Sequence, residues 1–152
     1  MLFRSIISMR ADKAEKLLKE IVRLIKKAGF GKDYFLKERT EYALFCDIKK
    51  ENIIIDPGLG FGKRTGRGVE DNCEILDRLA EFKDLGYPIL VGPSRKTFIG
   101  NVYGGDVPLP VSERLEGSLA AARLAVANGA DIVRVHDVKE TRRCVDLAES
   151  AY

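Results

Sequence analysis

A chain of 152 residues with 45% hydrophobic content can bury one proper core, so a single domain over residues 1–152 is expected. Its 26 Lys and Arg against 23 Asp and Glu leave +3, with both signs scattered along the chain, which is a solvated surface rather than a nucleic-acid footprint. The longest apolar runs fall far short of a membrane span and Met1-Leu2-Phe3-Arg4 lacks the apolar region of a secretory leader, so no membrane partner and a cytoplasmic location are expected.

Ser5 to Met9 contains a short apolar run, Ile6 and Ile7, that reads as a first strand. Asp12 with Glu15 forms a capping box, and Leu17, Leu18, Ile21, Leu24, Ile25 and Ala28 recur on one helical face until Gly29 closes the pattern. A thinner helical pattern from Asp33 to Ile48 runs through Leu36, Thr40, Ala43, Leu44 and Asp47. The three cysteines, Cys46, Cys73 and Cys144, are far apart and form no Cys-x-x-Cys pair, which predicts small packing residues rather than disulfides or a zinc site.

Ile53-Ile54-Ile55 fits a strand buried on both faces, as in a parallel sheet. Asp56 falls where that strand ends, and Pro57, Gly58, Gly60 and Gly62 forbid a regular continuation while letting backbone approach a ligand. A dinucleotide fingerprint is excluded because Lys63 stands where its third Gly belongs. A P-loop is excluded because Pro57 stands where its first Gly belongs and Arg64 follows Lys63. The segment also reads as a plain glycine turn capped by the Asp56 side chain.

Val69, Cys73, Leu76, Leu79 and Ala80 then keep helical spacing up to Gly86, and Tyr87 to Gly92 is the next strand, with Pro88 tolerable only at its start. Pro93-Ser94-Arg95-Lys96 ends that strand before a short helical turn through Phe98 and Ile99. Ser112 opens the best helix in the chain, Glu113 to Asn128, closed by Gly129. Asp131 to Asp137 is the last strand, with Ile132, Arg134 and His136 on one side and Val133 and Val135 on the other, and Asp137 can cap a final helix from Val138 to about Ala151. Strands alternating with helices mean a parallel α/β sheet with right-handed crossovers.

Asp56, Ser94 to Lys96, and Arg134 to His136 all fall at strand ends that open on one rim, where such sheets and barrels bind ligands. Asp56 offers an anion for a donor-rich heterocycle edge; Lys96, Arg134, His136 and the helix start after Pro93 offer donors to an anionic tail. Taken singly, Lys96 and Arg134 also read as surface charge and His136 as a satisfied core histidine.

The runs Ile55 to Lys63, Gly92-Pro93-Ser94-Arg95-Lys96-Thr97-Phe98-Ile99-Gly100 and Arg134-Val135-His136-Asp137-Val138 resemble, in this order, the pterin-binding family, and within it most closely the dihydropteroate synthases. Glu113 to Ala121 is similar to that family's penultimate helix; residues 50–152 carry the match strongly and 1–49 weakly. The resemblance implies a (β/α)8 barrel of the TIM type, of which this chain holds about four β/α units resembling strands five to eight. It implies a transferase of folate biosynthesis that joins 6-hydroxymethyl-7,8-dihydropterin pyrophosphate to p-aminobenzoate and releases pyrophosphate, with Mg2+ assisting.

By the same resemblance Asp56 takes the pterin's amino and ring N–H edge, Lys96 contacts the ring, and Arg134 and His136 hold pyrophosphate, with Arg134 also against the ring. Phe61 and Ser94 match positions near p-aminobenzoate, and no protein nucleophile is implied. The family's metal-binding Asn and mobile catalytic loops have no counterpart in this sequence, and its Met-His pair is replaced by Ser8-Met9-Arg10. Two other functions are weighed: a non-catalytic pterin or phosphate-binding module, and a corrinoid-linked methyltetrahydropterin methyltransferase, which shares the barrel but over which the Ser94-Arg95-Lys96 and Arg134-Val135-His136 clusters favour a pyrophosphate-releasing synthase. A half-barrel also exposes two strand edges, so a homodimer or a complementary N-terminal half-barrel is expected as partner.

Overall fold

The computed structural model describes residues 32–61, 68–104 and 107–150. The expected strand at Ile6 and Ile7, the helix from Asp12 to Ala28, and Gly62 to Arg64 lie outside the described residues. Three parallel segments organise the rest. Ile55 donates to Pro88 O at 3.0 Å and Leu90 to Ile55 O at 2.8 Å, bridging Ile55 to Ile89. On the other side β1, Leu90–Val91, pairs in parallel with β2, Ile132–Val133, in the register Leu90 to Ile132 and Val91 to Val133. The Asp131 carboxylate takes the Ile89 N–H at 2.8 Å and fixes the start of that pairing. The regular pairing is shorter than the apolar runs, because each run turns into a loop within a few residues of its Asp, Gly or Arg.

Burial alternates along these segments. Ile53, Ile55, Ile89 and Val91 are buried, with Ile89 and Val91 at 0% exposure, whereas Ile54, Leu90 and Ile132 are half-buried. The expectation of burial on both faces is corrected: helices cover one face, and among the described residues the other face is partly open.

Helix α1, Lys32–Phe45, lays Leu36 and Ala43 against the core with Thr40 buried, while Leu44 and Phe45 face outward and Asp47 turns the chain at φ 59°. The apolar face is thus narrower than its spacing predicts. Helix α2, Val69–Asp77, buries Ile75 and Leu76. It does not continue to Gly86: Leu79–Leu85 is a 3-10 segment with Leu79 and Phe82 inward, the three-residue period of that tighter helix. Helix α3, Thr97–Tyr103, buries Phe98 and Ile99, and α4, Leu115–Ala127, presents Ser118, Ala121, Ala122 and Ala125 inward. At Gly117 an added methyl would collide with Ile99 Cγ2, so α3 and α4 touch there because the residue is glycine.

Helix α4 starts later than Ser112. Val111–Glu113 is a 3-10 turn, and Arg114, at φ −105° and ψ 10°, breaks the path because its guanidinium turns inward to the carbonyls of Leu109 and Arg95. Helix α5, Val138–Glu149, packs on α4 with Thr141 and Val145 buried. Among the described residues no helix is long and apolar enough to cross a membrane.

Leu79 lies at the centre of this core at 0% exposure. Leu79→Ala is expected to lower unfolding free energy by about 2–5 kcal/mol in urea titration. A loss under about 1 kcal/mol would show that the core collapses around the gap.

Candidate functional site

The two-residue period of the parallel segments decides which side chains meet. Asp56 shares a face with Ile54, Gly92 with Leu90, and Arg134 and His136 with Ile132, so all four fall on the open face just past the paired residues. The first turn is built by glycine: Gly58 and Gly60 sit at φ 76° and 81°, where a β-carbon is disfavoured. Asp56 Oδ1 accepts the Gly58 N–H at 2.8 Å, so the side-chain-capped turn is present and holds the carboxylate in place. Asn72, 2% exposed on α2, accepts the Gly60 N–H at 2.5 Å and donates to Gly68 O, fastening both ends of the loop.

Lys96 reaches across to this turn. Its Nζ stands 4.8 Å from the centre of the Phe61 ring, and its Cδ is 3.4 Å from where a Gly60 β-carbon would stand. Burial, then the charge of Arg134, hold its pKa below the ordinary lysine value, while Asp56 opposes the shift. Lys96 therefore feels both the carboxylate of the first turn and the guanidinium of the third. The folded chain holds this proton less tightly than the unfolded one, so stability rises with pH through the window beneath the ordinary lysine value.

Arg134 lies flat on the second turn: a β-carbon at Gly92 would stand 2.8 Å from its Nη2 and 3.2 Å from its Cζ. Ser94 is buried with its Oγ 3.0 Å from His136 Nδ1, and it also accepts the His136 backbone N–H at 3.3 Å. The histidine is thereby oriented at the rim while its ring stays exposed.

Between Ser94 and Lys96 stands Arg95, at φ 57°, a left-handed conformation that costs a residue with a β-carbon roughly 1–2 kcal/mol. It is held on three sides. Its N–H donates to Ser118 Oγ at 2.9 Å, its carbonyl accepts from Arg114 Nη1 at 3.0 Å, and its guanidinium makes two bonds to Asp137, at 3.1 and 2.5 Å. The Arg95 hydrogen bond keeps the Asp137 carboxyl below the ordinary carboxylate range, with burial opposing it. Asp137 does occupy the N-cap position of α5, but its carboxylate makes no capping bond; its backbone oxygen takes Thr141 instead. The expected side-chain cap is corrected, because the guanidinium is the stronger partner.

The structure therefore brings Asp56, Phe61, Lys96 and Arg134 together, and Ser94 with His136 beside them. Asn72, Arg114 and Ser118 are the buried polar residues that support these turns; the sequence signal for Asn72 and Ser118 is a polar side chain on the apolar faces of α2 and α4, and Arg114, ahead of α4, has no such signal. Cys46 and Cys73 are exposed, which corrects their reading as packing residues, whereas Cys144 is partly buried with its Sγ 4.0 Å from the Leu119 carbonyl. Cys73 is exposed at the surface but its thiol is partly shielded by neighbouring groups, and this shielding, then the Glu70 charge, pushes the thiol up, away from the thiolate form. Among the described residues no three His, Cys, Asp or Glu side chains come together to hold a metal ion.

Residues 32–136 match the family described as pterin binding enzyme, and the chain belongs to that family. It is 49% identical over 107 residues to the dihydropteroate synthase of Haemophilus influenzae, an alignment covering 70% of this chain and 36% of that protein. Among solved structures it is similar to the Xanthomonas albilineans dihydropteroate synthase with 4-aminobenzoic acid, at TM-score 0.72 and 38% identity over 79% of this chain and 41% of that one. The same enzyme in complex with 7,8-dihydropteroate matches with TM-score 0.72, 38% identity and 79% of this chain covered against 43% of that one. The chain thus spans roughly two fifths of the length of these relatives.

Removing the Asp56 charge should leave Lys96 with only the influences that push its pKa down. Asp56→Asn is expected to move the Lys96 titration further below the ordinary lysine value, followed by NMR of the labelled ε-carbon and assigned with Lys96→Arg. An unchanged or higher midpoint would mean that the two groups do not sense each other.

Proposed function

We propose that this chain forms the pterin and pyrophosphate half of a dihydropteroate synthase site, supplying the β/α units that resemble strands five to eight of a (β/α)8 barrel. The observation that carries this reading is the meeting of three strand ends: Lys96 lies over Gly60 and Phe61 of the turn that Asp56 caps, and Arg134 rests on Gly92. The family membership of residues 32–136 supports it, as do relatives whose solved structures hold 4-aminobenzoic acid and 7,8-dihydropteroate.

In this reading the ligand is 6-hydroxymethyl-7,8-dihydropterin pyrophosphate. Asp56 accepts from the pterin's amino and ring N–H edge, a pairing that a fixed carboxylate makes strongly. Lys96 lies along the ring, and Arg134 and His136 take the pyrophosphate. Phe61, beneath the Lys96 ammonium, and Ser94, behind His136, border the place of the p-aminobenzoate. The reaction forms a C–N bond from the arylamine to the pterin methylene as the C–O bond to pyrophosphate breaks. Its electron pair leaves with the pyrophosphate, and the arylamine loses a proton. The chain's contribution is orientation and stabilisation of the departing anion, with no protein nucleophile. The described residues offer no cluster fit to hold Mg2+, so a magnesium ion would need ligands from elsewhere or from the pyrophosphate itself.

Among the described residues, Ile53 to Ile55 and Ile132–Val133 each pair on one side only, and Ile54, Leu90 and Ile132 are half-exposed on the face between them. A complementary N-terminal half-barrel, or a second copy of this chain, would cover that face and close those edges. A pterin-binding module without turnover would use the same residues and predicts the same binding.

Calorimetry with the pterin pyrophosphate tests the shared claim. Wild type should bind, and Asp56→Asn should bind roughly ten- to a hundredfold more weakly, the worth of a hydrogen-bonded charge. No binding by wild type, or an unaffected mutant, would contradict the site. The purified chain alone is expected to show little or no synthase turnover; measurable turnover would mean that the described half of the shell suffices.

A further inference from the structure

Arg95 has no ligand role assigned to it, yet its backbone and side chain are all held on the rim. It adopts φ 57° without being glycine, and both its backbone polar groups and its side chain are engaged. The partners come from two directions. Ser118 and Arg114, both buried, hold its backbone from the α4 side. Asp137, directly after His136, holds its guanidinium from the β2 side through two bonds.

Its neighbours in sequence do the converse. Ser94 turns inward to His136, and Lys96 turns the other way, to Gly60 and Phe61. A left-handed residue between them is what sends consecutive side chains to different parts of the rim. The ion pair then ties this turn to the strand end that carries Arg134 and His136. The pair is bidentate and the Asp137 side chain is only 20% exposed, so it holds the two strand ends in one geometry as well as contributing to stability.

We propose that Arg95 is a positioning residue: its pair with Asp137 sets the distance between Lys96, on the ring side of the site, and Arg134 with His136, on the anion side. This rests on the pterin pyrophosphate reading above. A ligand that engages both ends gains from their fixed spacing, and one that engages only the ring end does not.

Two variants open the pair by different routes. Arg95→Gly suits the left-handed backbone and removes the guanidinium, and Asp137→Asn keeps the shape of the partner and removes its charge. Affinities for the pterin pyrophosphate and for the same pterin without pyrophosphate are measured by calorimetry on wild type, both single variants and the double variant. Each single variant should lose about tenfold in affinity for the pyrophosphate-bearing ligand and less than about twofold for the bare pterin, the preorganised spacing being what is lost. The double variant should be no worse than either single one, as for two halves of one device. Thermal midpoints are measured alongside, because a loss of stability alone would weaken both ligands alike.

Equal losses for both ligands, or additive losses in the double variant, would overturn the positioning role and leave a structural contact. Wild-type binding that neither variant alters would overturn it as well, while the pterin reading stands. Absence of wild-type binding to either ligand would bring down the pterin reading and the positioning role together.

Discussion

The parallel register around Ile89 to Val91 is the constraint on which the rest depends. Pairing Ile55 with Ile89, Leu90 with Ile132 and Val91 with Val133 puts every second residue under the helices and every other one on the open face. A slip of one residue would exchange the two sets, driving Asp56 and Arg134 into the apolar layer and Val91 out of it. The buried isoleucines and valines therefore hold the site in place as much as they hold the fold. The Asp131 carboxylate, bonded to the Ile89 N–H, is a polar lock on the same register.

On that frame the site is an electrostatic compromise. Arg134 and Lys96 are close enough for the guanidinium to weaken the lysine's hold on its proton, a repulsion that an anionic ligand between them would relieve. Asp56 opposes the effect and marks the end of the site suited to donors. The cations are otherwise kept in place by packing: Arg134 rests on a glycine and Lys96 rests on Phe61 and a second glycine. A methyl at Gly92 would meet the Arg134 guanidinium first, so the glycine is what lets that side chain lie where it does.

Much of this was legible along the chain. Apolar runs ending in Asp56, Gly92 and Arg134 announced strand ends, and alternation through Ile132, Arg134 and His136 placed the last two on one face. The lengths of the regular pairings and the start of α4 were not legible, because both are set by where loops are pulled. Arg114 turns inward to carbonyls 5 and 19 residues away, and no local pattern encodes that. Asp137 looked like a helix cap because its position is one. Its carboxylate went instead to an arginine 42 residues distant in the chain. The left-handed Arg95 carries no signal in composition, since it is stabilised by partners from α4 and β2 against its own preference. Burial on both faces of the strands was over-read because three successive isoleucines look alike whether or not a second layer covers them.

In the proposed site one ligand spans the Asp56 and Lys96 end and the Arg134 and His136 end. His136 is the only histidine in the sequence, so its ring signals report on the anion end without ambiguity. Titrating the labelled chain with the pterin pyrophosphate while following the His136 ring and the Lys96 ε-carbon by NMR should move both signals along one curve with a single midpoint. Movement of only one signal, or two separate midpoints, would contradict a single spanning site.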